Sequence, residues 1–92
     1  MDIRELVGLN LRRLRVGREL PQDALAVDAE IDRAHVSRIE RGVENPTVVV
    51  LARIAKALDV PITEFFTIPK RGSVAATLKR GRKPKGSRSG GR

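Results

Sequence analysis

The chain has no cysteine, no tryptophan and no tyrosine. Without cysteine there is no disulfide framework and no thiolate metal site, which fits a reducing compartment. The aromatic complement is Phe65 and Phe66 alone. Proteins that grip single strands stack bases on aromatic side chains, so that mode is disfavoured. Two adjacent Phe at the end of an apolar stretch read as core. His35 is the sole histidine, and without clustered ligands it makes no metal site. Ser37 lies two residues from it and points elsewhere on a helix, which argues against a Ser–His nucleophile pair. No glycine-rich phosphate loop precedes a helix. These absences argue against an enzyme and against a bound cofactor. No apolar run approaches the ~20 residues that span a bilayer. The opening stretch MDIRELVGLN is charged from Asp2 and lacks the apolar core of a secretory signal. A cytoplasmic protein without membrane association is expected.

The charge is unevenly placed. Of the 92 residues, 1–66 hold 10 Lys+Arg against all 11 Asp+Glu, a net of −1, whereas 67–92 hold 9 Lys+Arg and no acid, a net of +9. Two different objects meet near Phe66. The expected division is a compact domain over residues 1–68 and a basic, flexible tail over 69–92. The tail holds five of the eight glycines, and its Gly, Ser, Lys and Arg content predicts disorder, with Val74–Leu78 (VAATL) as a weakly apolar island. A segment of such charge seeks a polyanion, either nucleic acid or an anionic membrane surface. The bland alternative is a solubilising extension. The scarcity of aromatics favours duplex DNA over single-stranded RNA.

Periodicity predicts helices throughout the domain. Ile3, Val7, Leu11 and Leu14 fall on one face of a first helix from Asp2 to about Arg18, with Asp2 and Glu5 in the turn where the helix dipole favours acid. Gly17 weakens its last turn. Pro21 opens a second helix, Gln22 to Ala29, with Leu25, Ala26 and Ala29 inward. Asp32 is placed to cap a third helix, Arg33 to Arg41, with Val36 and Ile39 inward and Gly42 as its stop. Asn45-Pro46-Thr47 is a loop and cap before a fourth helix, Val48 to Leu58, whose buried stripe is Leu51, Ile54, Ala55 and Leu58. Asp59-Val60-Pro61 breaks the chain, and Ile62 to Phe66 forms a last helical turn.

Gln22 to Gly42 therefore has a short helix, a tight turn and a second helix. Ala26 lets the two approach closely and Ile31 plugs the turn. Val36 and Ile39 anchor the second helix from behind. Its opposite face carries Arg33, Ala34, Ser37, Arg38 and Arg41. The alternative for these arginines is a solvated face without a partner.

With Gln22, Leu25-Ala26, Ala29, Val36 to Gly42 (VSRIERG), Asn45-Pro46-Thr47 and Leu51 to Leu58 (LARIAKAL) in this order, residues 7–66 resemble the Cro and phage-repressor (XRE-type) helix-turn-helix family. The resemblance implies an all-α, compact five-helix repressor-like domain whose third helix lies in the major groove of double-stranded DNA. It implies a nucleoid-associated regulator of transcription, working as a homodimer. By the same resemblance Gln22 contacts a phosphate, Arg33, Ala34 and Arg38 read base edges, and Arg41 contacts the backbone. His35, near the same edge, is assigned to a phosphate. Arg suits guanine O6 and N7, and Ala34 suits a thymine methyl. Arg15 and Glu40 match a buried ion pair between the first and third helices, with Arg15 leaning toward a phosphate as a second role. This reading requires Arg33 and Arg38 to face outward, uncapped by the chain's own acids. Glu30 and Asp59 stand where the family favours Gly, and Pro21 where it favours Ser or Asn. Glu30 and Glu44 put acid near the DNA side.

Lys79 to Lys85 (KRGRKPK) resembles an AT-hook, in which Arg80-Gly81-Arg82 enters a narrow minor groove. Lys83 separates Arg82 from Pro84, a departure that leaves nonspecific phosphate attraction open beside it. Two other functions compete. One is an antitoxin- or adaptor-type module binding a small protein partner, through a patch such as Val49 and Leu9. The other is an architectural nucleoid protein dominated by the tail. With no separate ligand domain, no small-molecule effector is expected.

Overall fold

The computed structural model describes residues 1–69. Apart from Pro69, the expected tail, with Arg80, Gly81 and Arg82, lies outside the described residues. Four α-helices follow in order: α1 (Ile3–Gly17), α2 (Gln22–Ala29), α3 (Arg33–Glu40) and α4 (Val48–Leu58). The fifth helix of the expected five is instead a short 3-10 turn, Ile62–Phe66. Bounded by Pro61 and the extended Thr67, this short segment closes with i→i−3 bonds, Glu64 to Pro61 and Thr67 to Glu64, the tighter geometry common in single turns. Among the described residues there is no strand, and no helix is long and apolar enough to cross a membrane.

Caps explain where the helices begin. The Asp2 carboxylate accepts from the Arg4 N–H at 2.7 Å, and Glu5 reaches back to the Asp2 N–H, closing a capping box at α1. The hydrogen-bonded guanidinium of Arg4 holds the Asp2 carboxyl below its usual range. Thr47 Oγ1 accepts from the Val50 N–H at 3.0 Å and starts α4. Asp32 stands at the N-cap of α3 but its side chain makes no cap hydrogen bond, contrary to expectation.

The helix ends share one device. Glu19, Glu30, Gly42 and Asp59 all have positive φ, from 56° to 77°. At each end the next residue's N–H returns to the last turn: Leu20 to Arg15, Ile31 to Ala26, Val43 to Arg38 and Val60 to Ala55. These are Schellman closures. Leu20, Ile31 and Val60 then pack against the core, so each of those three reversals also buries an apolar side chain. Only one of the four has the glycine that signals this turn in sequence. Glu30 settles its departure from the family pattern by adopting the left-handed conformation, φ 60° and ψ 46°, at a strain of about 1 kcal/mol.

The core joins Val7 and Leu11 of α1, Leu25, Ala26 and Ala29 of α2, Val36 and Ile39 of α3, the Leu51, Ile54, Ala55, Leu58 stripe of α4, and Phe65. Phe65 is fully buried, contributing about 2–3 kcal/mol relative to exposure. Phe66 is 43% exposed and Ile3 59% exposed, so neither is core as the sequence suggested. A 3-10 turn directs successive side chains apart, and Ile3, the first residue of α1, lies with Phe66 at the rim of an open cleft. Two unexpected α1 residues are buried, Gly8 and Asn10. A Cβ on Gly8 would overlap the Ile39 carbonyl oxygen and sit 2.7 Å from that of Glu40. α1 therefore lies directly on the backbone of α3.

Candidate nucleic-acid interface

α3 presents two chemically opposite sides. Val36 and Ile39 are fully buried. Arg33, Ala34, Arg38 and Arg41 line the outer side, with His35 and Ser37 half-buried at the edges. The residues assigned to base edges thus share one helix, with Arg41 at its C-cap, whose orientation is set from behind by aliphatic packing, while Gln22 stands at the start of α2. Among the described residues Arg33 and Arg41 make no side-chain hydrogen bond or ion pair, leaving their guanidinium donors available.

Arg38 faces outward but is not unattended. Its Nε donates to Glu44 Oε1 at 2.9 Å, so the requirement that Arg38 be uncapped fails at one of its nitrogens. Glu44 belongs to the loop between α3 and α4, and its other oxygen lies 3.7 Å from His35 Nε2. That is too long for a hydrogen bond, and His35 Nε2 is buried without a partner. The hydrogen bond from Arg38 holds the Glu44 carboxyl below its usual range, with the charges of Arg38 and His35 adding to the effect. Glu44 is therefore less a free acid facing the ligand than a partner of the arginine beside it.

Behind α3 lies a second polar cluster. Arg15 donates to Glu40 through Nε at 2.5 Å and Nη2 at 3.0 Å, a bidentate pair with side-chain exposures of 11% and 3%. Arg15 Nη1 also donates to the Leu20 carbonyl at 2.8 Å. With its nitrogens directed inward, Arg15 does not face a phosphate. Glu40 Oε1 accepts in addition from Gln22 Nε2 at 3.0 Å. Gln22, expected at a phosphate, thus spends one amide N–H on Glu40; a primary amide has a second to offer outward. One carboxylate ties α1, the start of α2 and the end of α3 into a single frame.

Asn10 was not singled out in the sequence. Its side-chain amide donates to the carbonyls of Phe65 at 2.8 Å and Thr67 at 2.9 Å, and its oxygen accepts from Arg13. It locks the 3-10 turn onto α1. An Asn on the apolar side of an amphipathic helix was the available signal. Elsewhere, Ile3, Val7, Pro46, Val48, Leu51 and Phe66 line an apolar cleft of about 180 Å³. Of the patch expected from Val49 and Leu9, Val49 is exposed and Leu9 half-buried.

Residues 11–65 match the family described as helix-turn-helix. The HTH-type transcriptional regulator y4dJ of Sinorhizobium fredii is 40% identical over 67 residues, covering 73% of this chain and 87% of that protein. The control protein C.BamHI of Bacillus amyloliquefaciens is 34% identical over 71 residues, 73% of this chain and 88% of that one. Among solved structures, the restriction-modification controller protein C.AhdI of Aeromonas hydrophila superposes with a TM-score of 0.67 at 36% identity, covering 68% of this chain and 96% of that chain.

Proposed function

The chain belongs to the helix-turn-helix family, and on that footing we propose that it regulates transcription by binding double-stranded DNA sequence-specifically, with α3 in the major groove. It is a binding protein and not an enzyme, its relatives being transcriptional regulators and controller proteins. The observation that carries the reading is the two-sidedness of α3: Val36 and Ile39 have no exposed surface, while Arg33, Ala34, Arg38 and Arg41 face outward.

In this reading Arg33 and Arg38 offer paired donors to guanine edges, and Ala34 offers a methyl to thymine. Gln22, His35, Ser37 and Arg41 supply polar contacts at the groove walls, which set register without reading sequence. A two-fold homodimer places two copies of α3 about 34 Å apart. The exposed Val48 and Phe66 beside the apolar cleft supply surface for such pairing. Beyond the described residues, Arg80, Gly81 and Arg82 add phosphate or minor-groove contacts.

Selection from random duplexes with the full chain tests this directly. A palindromic motif is expected. Arg38→Ala should cost roughly 1–3 kcal/mol on that motif and relax preference at one base pair. A wild-type chain that enriches no motif is an architectural binder, or a protein-interaction module if it binds no DNA, and the reading is then wrong.

A further inference from the structure

The ion pair between α3 and the following loop has a consequence for how Arg38 reads DNA. We propose that Glu44 is a specificity-determining positioning residue: by holding Nε of Arg38, it presents the two terminal nitrogens of that arginine to one guanine of the bound duplex. The proposal rests on the DNA-binding reading above.

A guanidinium has five N–H donors in a rigid plane. It can pair with guanine end-on, through both terminal nitrogens, or side-on, through Nε and one terminal nitrogen. Glu44 Oε1 occupies Nε at 2.9 Å, which removes the side-on option and leaves the end-on fork. The bond is charge-assisted and therefore short and directional. Among the described residues Glu44 is held by Arg38 alone, and His35, three residues before Arg38 on α3 and so on the same face, stands beside it without a hydrogen bond. The His35 Nε2 lies 3.7 Å from Oε2 while Oε1 holds Arg38.

A flexible, unheld arginine serves phosphates and bases alike. A carboxylate beside it repels phosphate and fixes the side chain before DNA arrives, so less ordering remains at binding. Glu44 then lowers affinity for arbitrary DNA and raises discrimination for guanine. A solvent-accessible carboxylate is ionised near neutrality in any case, and the hydrogen bond from Arg38 lowers its pKa further.

The experiment compares wild type, Glu44→Ala, Glu44→Gln and Arg38→Ala as full chains. Each is titrated against the selected duplex, the same duplex with the Arg38-dependent G·C pair changed to A·T, and an unrelated duplex. E44A is expected to bind the unrelated duplex several-fold more tightly. Its preference for G·C over A·T should fall by roughly three- to tenfold. E44Q, which keeps the volume and one acceptor oxygen, should lie between. Damage to folding would lower binding to all three duplexes together and leave the ratio intact; unfolding midpoints are read in parallel. If R38A abolishes the G·C preference while E44A leaves it at the wild-type ratio, the proposal is overturned and the DNA reading stands. If wild type itself shows no preference, both fall.

Discussion

Substituting Gly8 by Ala opposes two effects of known sign. Gly8 lies within α1, and by helix propensity alone Ala is better there by about 1 kcal/mol. The tertiary structure points the other way. The added methyl would overlap the carbonyl oxygen of Ile39 and lie 2.7 Å from that of Glu40. Both obstacles are backbone of α3, not the movable end of a side chain. Relief requires α1 and α3 to move apart, which loosens Val7, Leu11, Val36 and Ile39 together. Overpacking costs about 1–3 kcal/mol, and rigid neighbours place this case at or above the upper end. The net expectation is a destabilisation of about 2 kcal/mol. For a domain of this size that lowers the thermal midpoint by about 8–16 °C. The internal control is Gly17→Ala, where a Cβ meets nothing within 4 Å and a stabilisation of up to about 1 kcal/mol is expected. Urea and thermal unfolding followed by circular dichroism measure both. A G8A protein as stable as wild type would refute the close α1–α3 approach on which the orientation of α3 depends.

Three further outcomes follow from individual side chains and a fourth from the tail. Arg15→Ala leaves the buried Glu40 carboxylate without its bidentate partner and should cost about 3–5 kcal/mol; Glu40→Gln on that background should recover part of the stability in the same unfolding assay. Asn10→Ala unpairs the carbonyls of Phe65 and Thr67, for about 1–3 kcal/mol, and limited proteolysis should then cut first between Ile62 and Pro69. Glu30→Gly relieves a left-handed non-glycine residue and should raise stability by up to about 1 kcal/mol, with DNA affinity rising as an acid leaves. Truncation to residues 1–69 should flatten the salt dependence of DNA binding, by about 0.9 in log–log slope for each phosphate the tail had neutralised; an unchanged slope would remove the tail from the interface.

Much of this was legible because helix periodicity and punctuation are local. The aliphatic stripes of α2, α3 and α4 lie where spacing put them, and Thr47 caps as its type suggests. Ile3 and Phe66 misled because apolar character says a residue gains from burial, not that a neighbour stands there to cover it. Glu19 carried no turn signal, since its left-handed conformation is compelled by the chain reversal and by Leu20 docking behind it. Asp32 has the right type and position for a cap, yet its carboxylate makes no cap bond.

The order of residues by itself determined an all-helical domain, a helix-turn-helix with a cationic outer face, and the segregation of positive charge beyond Phe66, because composition and period act over a few neighbouring residues. Only the tertiary structure decided that Gly8 sits on the backbone of α3, that Asn10 holds the 3-10 turn, that Gln22 joins Arg15 on Glu40, and that Glu44 holds Arg38 by one nitrogen. Those pairings depend on distances between elements remote in sequence or on side chains meeting across a turn, and periodicity carries no information about either.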